Sequence, residues 1–286
     1  MLRNKYPSFR TVLAGPEIVR VAGAHHALSG VLAQEAGFQA VWSSSFEVSA
    51  ARCLPDASLL SMTEYLTAAA NIQKALGIPV VADCDTGYGD NLNVAHMVHE
   101  FEGMGITAVC IEDKLFPKMN SFVGDGQALL SVDAFASKIE TAKNAQSSAD
   151  FFVIARTEAL IGGLDVDTAL ERCRVYADAG ADAVLIHSKA RTKDQVVAFL
   201  EGWDGRVPVV IVPTTYPAWH IDEMRHAGVS VVIYANQGLR ASVSSLRGTY
   251  RSIYQAGDST GVEESIASVG EIFDLQRLAE WQKLSA

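Results

Sequence analysis

No run of apolar residues approaches the ~18 needed to cross a membrane; even the stretch 207–212 is interrupted by Pro208. The first ten residues carry positive charge but no apolar segment follows that would read as a signal peptide, so a cytoplasmic protein is expected. No basic run occurs anywhere. With 23 Lys and Arg against 33 Asp and Glu, the net charge of −10 argues against a nucleic-acid partner. The four cysteines, Cys53, Cys84, Cys110 and Cys173, show no CxxC spacing, and neither a disulfide framework nor a zinc site is indicated. Low-complexity tracts, linkers and internal repeats are missing too. At 49% hydrophobic and 20% charged residues, the chain has ample material for a folded core.

What is present is an alternation of short apolar, β-branched runs with longer stretches of helical periodicity. Eight runs occupy 19–23, 40–44, 80–85, 108–112, 152–156, 183–187, 209–213 and 231–235. Between them, segments such as 63–76, 94–103, 133–144 and 167–179 repeat apolar residues three and four apart. Runs without polar alternation are what parallel strands buried on both faces look like. Eight βα units predict a (β/α)8 TIM-type barrel, a single domain over 1–286. A doubly wound sheet is the alternative, but it would carry a glycine-rich phosphate loop after its first strand, and none is there. Residues beyond the eighth run supply more helix than one barrel unit needs, predicting a C-terminal helical extension over about 239–286 that packs between subunits.

Catalytic groups of such barrels lie where strands end and βα loops begin. Asp83 and Asp85 fall two apart at the end of the third run, placing both side chains on one face if the strand continues through them. Glu112 arrives at similar depth one strand later, and Asp56, in the loop after the second strand, is a fourth acid. Converging carboxylates repel unless a cation sits among them, and an all-oxygen donor set selects Mg²⁺ or, as a substitute, Mn²⁺. Arg156, across from these acids on the fifth strand, suits an anion. The loop 113–126, DKLFPKMNSFVGDG, exceeds the usual two to six residues and reads as a lid whose Lys118, Asn120 and Ser121 would meet an anionic group; a plain solvated loop fits the same residues. His26 reads as a helix start, His96 and His99 as helix surface, and Cys84 and Cys110 as packing residues.

The strings DCDTGYGD at 83–90, EDKLFPKMNS at 112–121, IARTEALIGG at 154–163, IHSK at 186–189 and YANQGLRAS at 234–242 resemble the phosphoenolpyruvate phosphonomutases of the isocitrate lyase and phosphoenolpyruvate mutase superfamily. That resemblance implies interconversion of phosphoenolpyruvate and 3-phosphonopyruvate, the entry to phosphonate biosynthesis. It also implies Mg²⁺ dependence, a homotetramer that exchanges its last barrel helix between subunits, and a downstream enzyme consuming phosphonopyruvate. Carried over by position, Asp83 would bind Mg²⁺ directly while Asp56, Asp85 and Glu112 hold its waters. Ser44 and Ser45 amides with Arg156 would hold the substrate carboxylate, Trp42 would line the pocket, and Lys118, Asn120, Ser121 and His187 would surround the phosphoryl group.

Phosphonopyruvate hydrolases share the same length of resemblance but carry Thr where this lid has Asn120. The carbon–carbon lyases need a Lys-Lys-Cys-Gly-His motif, whereas residues 112–116 read Glu-Asp-Lys-Leu-Phe. A non-catalytic scaffold barrel would have no reason to keep four acids, an arginine and a lid together. One departure stands out: Trp42-Ser43-Ser44-Ser45 replaces the family's Trp-Gly-Ser-Gly, removing two glycines that permit close backbone approach.

Overall fold

The computed structural model describes residues 6–124 and 127–285. Eight strands, β1 (Val19–Ala24), β2 (Ala40–Ser43), β3 (Val80–Asp83), β4 (Ala108–Glu112), β5 (Phe152–Thr157), β6 (Ala183–Ile186), β7 (Val209–Ile211) and β8 (Val231–Tyr234), pair in parallel and in sequence order, with β8 closing on β1. The expected (β/α)8 barrel is therefore the observed one. Helices α1 (Phe9–Leu13), α2 (Ala27–Glu35), α3 (Ser45–Ala51), α4 (Met62–Ala75), α5 (Asn91–Gly103), α6 (Val132–Ala145), α7 (Val166–Asp178), α8 (Asp194–Gly202) and α9 (Ile221–His226) accompany the strands. A second unit, Gln237–Ala286, holds α10 (Gln237–Ala256), a 3₁₀ turn, α11 (Val269–Leu275) and α12 (Leu278–Lys283). It begins within two residues of the extension read from the sequence.

Local chemistry explains the boundaries. Ser61 and Glu64 form a reciprocal capping box at the start of α4, and Asp90 with Asn93 does the same for α5. His26 caps α2 through its ring nitrogen, the helix-start role expected of it. Both His96 and His99 are exposed on α5.

Inside the barrel, Val19, Val21, Trp42, Val81, Cys110, Ile154, Leu185, Val210 and Ile233 interdigitate. A glycine is required at position 23, where a Cβ would lie 2.1 Å from the Ala235 carbonyl oxygen, so β1 and β8 can close only with a hydrogen there. At the amino-terminal end of the strands, α1 stoppers the barrel: Phe9 is fully buried edge-on to Phe152, its amide donates to Thr107, and Arg10 pairs with Asp182 at 2.6 Å. No helix among the described residues is long and apolar enough to cross a membrane.

Candidate active site

At the opposite end, where the strands finish, Trp42, Ser44, Ser45, Asp56, Asp83, Lys118, Asn120, Ser121, Arg156 and His187 line one pocket. Every residue expected to contact substrate is in it. Asp85 and Glu112 are buried beside it and joined to it through Lys118 and Arg156.

The lid makes this possible. Its base is pinned like a short hairpin, with the Leu115 amide donating to Ala128 and the Leu130 amide to Asp113. Its tip lies over the strand ends. Lys118 Nζ donates to Asp56 Oδ1 at 2.7 Å, while Asn120 donates to Asp56 twice, from Nδ2 to Oδ2 at 2.8 Å and from its amide to the carbonyl at 2.9 Å. Phe122 stands edge-on against the His187 ring. The expected lid ran to 126; Asp125 and Gly126 lie outside the described residues.

One expectation needs a different cause. Asp83 and Asp85 do not share a strand face by pleating, because β3 ends at Asp83. Asp85 instead turns in with a left-handed backbone, φ 50°, in a loop where Gly87 (φ 83°) must lack a Cβ that would meet Val94 at 2.5 Å. Cys84 packs outward, among the residues between sheet and helices, as expected.

The acids on this side are short of positive charge. Lys118 Nζ lies 3.0 Å from Asp85 Oδ1, yet neither Asp85 oxygen has a hydrogen-bond partner among the described residues. Burial pushes the Asp85 carboxyl up to about 7; Lys118 opposes the rise, and Asp83, Asp56 and Glu112 add to it. Burial likewise raises Asp83, against Lys118 and Arg156. Burial works against the Lys118 ammonium as well, but the carboxylates of Asp85, Glu112, Asp56 and Asp83 override it and hold its pKa well above the usual lysine value.

The serine that replaces a family glycine has entered this cluster. Ser45 Oγ donates to Asp83 Oδ2 at 2.8 Å and accepts from Lys118 Nζ at 3.3 Å, and the Ser45 amide also donates to Asp83 Oδ2 at 3.2 Å. The amide expected to hold a substrate carboxylate is here bonded to Asp83. Ser44 caps α3 with its hydroxyl.

The far side of the mouth is organised around Glu158, which is fully buried. It accepts Arg156 Nε at 2.6 Å and the Ser121 hydroxyl at 2.5 Å, and lies 2.9 Å from His187 Nδ1 and 3.0 Å from Lys114 Nζ. Burial would raise its carboxyl; Arg156, His187 and Lys114 outweigh that and hold it well below the usual glutamate value. Glu112, paired with Arg156 in the β4–β5 register, lies 3.2 Å from Arg156 Nε. His187 is kept neutral by burial and by Arg156. Its Nδ1 sits 2.8 Å from Arg156 Nη2, a donor only, and 2.9 Å from Glu158, an acceptor only, so it serves one at a time. Whichever it takes decides whether the buried, unpartnered Nε2 is donor or acceptor. Lys114 and Glu158 were visible in the sequence as polar residues near strand ends, but nothing there gave them a role. Val212 and Thr214, which also line the pocket, lie inside and just past a seventh run that ends without charge.

Among the described residues no three His, Cys, Asp or Glu side chains are grouped to hold a metal directly. The residues nevertheless fit Mg²⁺ bound by few direct contacts: the donors are all carboxylate oxygens, and those of Asp85 and Glu112 Oε1 are buried without hydrogen-bond partners.

Comparison with known proteins agrees with this architecture. A phosphonopyruvate hydrolase from Variovorax sp. (strain Pal2) is 41% identical over 275 residues, covering 96% of this chain and 95% of its own. The crystal structure of a phosphoenolpyruvate phosphomutase from Streptomyces platensis subsp. rosaceus superposes with a TM-score of 0.95 at 50% identity, covering 96% of each chain. A phosphonopyruvate hydrolase solved with oxalate and Mg²⁺ gives 0.91 at 39%, covering 96% of this chain and 95% of that one. Residues 9–254 match the family described as phosphoenolpyruvate phosphomutase, and the chain belongs to that enzyme family.

Proposed function

We propose that this protein is a Mg²⁺-dependent mutase interconverting phosphoenolpyruvate and 3-phosphonopyruvate. The observation that carries the reading is Asn120, held over the pocket by two hydrogen bonds to Asp56 in the position where hydrolases of the family carry Thr. Asp83 would hold the ion directly, with Asp56, Asp85 and Glu112 on its waters; when bound, Mg²⁺ stabilises negative charge developing on the pyruvate oxygen.

The chain's own groups account for the remainder. Arg156 has Nη1 without a hydrogen bond to any described residue and, with the backbone at Ser44, would orient the substrate carboxylate; the Ser45 amide would join them by exchanging its bond to Asp83 for one to substrate. Breaking the carbon–phosphorus bond leaves its electron pair on pyruvate as the enolate, and the phosphoryl group is recaptured by the enolate oxygen. Between those events it is metaphosphate-like, and Lys118, Asn120 and His187 Nε2 surround it. Trp42 forms the apolar wall. The lid's task is to exclude water, because a water in line with phosphorus yields pyruvate and phosphate instead.

The hydrolase relative at 41% identity makes that outcome the second reading. Phosphorus NMR of the protein with phosphonopyruvate and Mg²⁺ decides: a phosphoenolpyruvate signal is expected, and inorganic phosphate appearing directly would establish the hydrolase.

A homotetramer built by exchange of C-terminal helices is part of the same proposal, supported by an apolar stripe on α10 (Val243, Leu246, Tyr250 and Tyr254, all exposed). Because forming the carbon–phosphorus bond is uphill, a downstream enzyme that removes phosphonopyruvate completes it. We place the protein in the cytoplasm.

A further inference from the structure

The reaction proposed above gives no task to two fully buried charges at the site, Lys114 and Glu158. Their contacts divide by oxygen. Glu158 Oε1 accepts from Arg156 and lies 2.9 Å from His187 Nδ1, and both of those residues line the pocket, whereas Oε2 accepts the proton of Ser121 and lies against Lys114. Lys114 Nζ in turn donates to Ser121 Oγ at 2.8 Å and to the Met119 carbonyl at 2.9 Å. Ser121 and Met119 belong to the lid.

Counting the Ser121 hydroxyl settles what it does in this closed arrangement. A hydroxyl has one proton and two lone pairs. Its proton goes to Glu158, and Lys114 and Arg156 (3.0 Å) fill the lone pairs, so it has no hydrogen bond to offer a phosphoryl group.

We propose that Lys114 and Glu158 are positioning residues that form a buried latch. They hold the lid shut through Ser121, and the same Glu158 carboxylate sets Arg156 and His187 for substrate. The proposal rests on the mutase reading for its consequence, the exclusion of water, but not for the latch itself. Lifting the lid gives up the three hydrogen bonds that Ser121 and the Met119 carbonyl make to these two charges, and keeping them is what favours closure.

The test compares the full-length wild type with Glu158→Gln, Lys114→Met and Ser121→Ala. Phosphonopyruvate is supplied with Mg²⁺, and the ratio of inorganic phosphate to phosphoenolpyruvate formed is read by phosphorus NMR. A ratio does not depend on how much of a variant is folded. The latch predicts a rise of about tenfold or more, the scale of one charge-assisted hydrogen bond. Hydrogen exchange of lid peptides over 113–124, followed by mass spectrometry, should accelerate by about the same factor while peptides of α5 and α7 keep the wild-type rate. Ser121→Ala removes only a lid hydroxyl and protects the test against a misfolded Glu158→Gln. Unchanged lid exchange in all three variants overturns the latch, and so does faster exchange with an unchanged product ratio. If the wild type itself makes only phosphate, the mutase reading falls instead, and the exchange rates alone decide the latch.

Discussion

The two halves of the barrel mouth solve the problem of buried charge in opposite ways. Around Glu158, two carboxylates (Glu112 and Glu158) meet two cations (Lys114 and Arg156), and His187 is neutral. Around Lys118, three carboxylates (Asp56, Asp83 and Asp85) face one ammonium, a deficit of two positive charges. Breaking a balanced buried pair typically costs about 3–5 kcal/mol, so the first half is scaffolding that holds its own shape. The second, with its acids ionised, is stable only to the extent that a proton on Asp85 or a cation relieves it, and two charges is what one divalent cation would bring. The difference marks the half of the mouth that the Mg²⁺ of the proposed function would complete.

Chelation breaks the comparison most completely. Turnover of phosphonopyruvate is expected to vanish in EDTA and to return with Mg²⁺; full activity without any divalent cation would mean that the acid-rich half is purely structural. Next comes Asn120→Ala, which removes a lid donor on the acid-rich side. It should lower isomerisation by more than about 100-fold while leaving Mg²⁺ affinity within about twofold, because the acid that Asn120 bonds among the described residues is Asp56, not Asp83. Retention of full activity would remove Asn120 from the mechanism. The smallest and most diagnostic change is Asp85→Asn, expected to weaken Mg²⁺ binding by about 10–100-fold in titration calorimetry yet to stabilise the metal-free protein.

The sign of that last effect follows from the Asp85 carboxyl at about 7, raised by burial above an ordinary value of 3.8. A native state that binds the proton more tightly than the unfolded chain loses stability as pH rises between those two values. The metal-free variant should therefore melt higher than wild type above pH 7, by a few degrees, and the gain should disappear toward pH 4. A lower melting temperature at pH 8 would show that Asp85 is already compensated by Lys118.

The barrel was legible because its cause is local: eight apolar runs bounded by turn residues predict each strand to within two residues, from Val19–Ala24 to Val231–Tyr234. The pocket residues were legible because strand ends place them. What periodicity missed has a common origin in the loops. The alternation that put Asp83 and Asp85 on one face assumed two more residues of strand, whereas Asp85 reaches the site from a left-handed turn that an aspartate seldom adopts. The Ser45 hydroxyl looked like an obstacle to backbone approach and is instead a ligand of Asp83. Lys114 and Glu158 follow different strands, β4 and β5, and no spacing within either segment announces that they pair.

The stopper at the far end of the barrel carries a consequence for assembly of the chain. Contacts of α1 and of Tyr6, three residues ahead of it, span 98 positions from Phe9 to Thr107, 99 from Tyr6 to Gly105, and 141 and 172 from Arg10 to Phe151 and Asp182. Contacts this far apart in sequence close large loops, whose entropy must be overcome before the contacts return anything. Although α1 is made before every strand of the barrel, it can find Phe152 and Asp182 only after β5 and the residue preceding β6 exist, so the bottom of the barrel is sealed late, by a segment that waits for its partners.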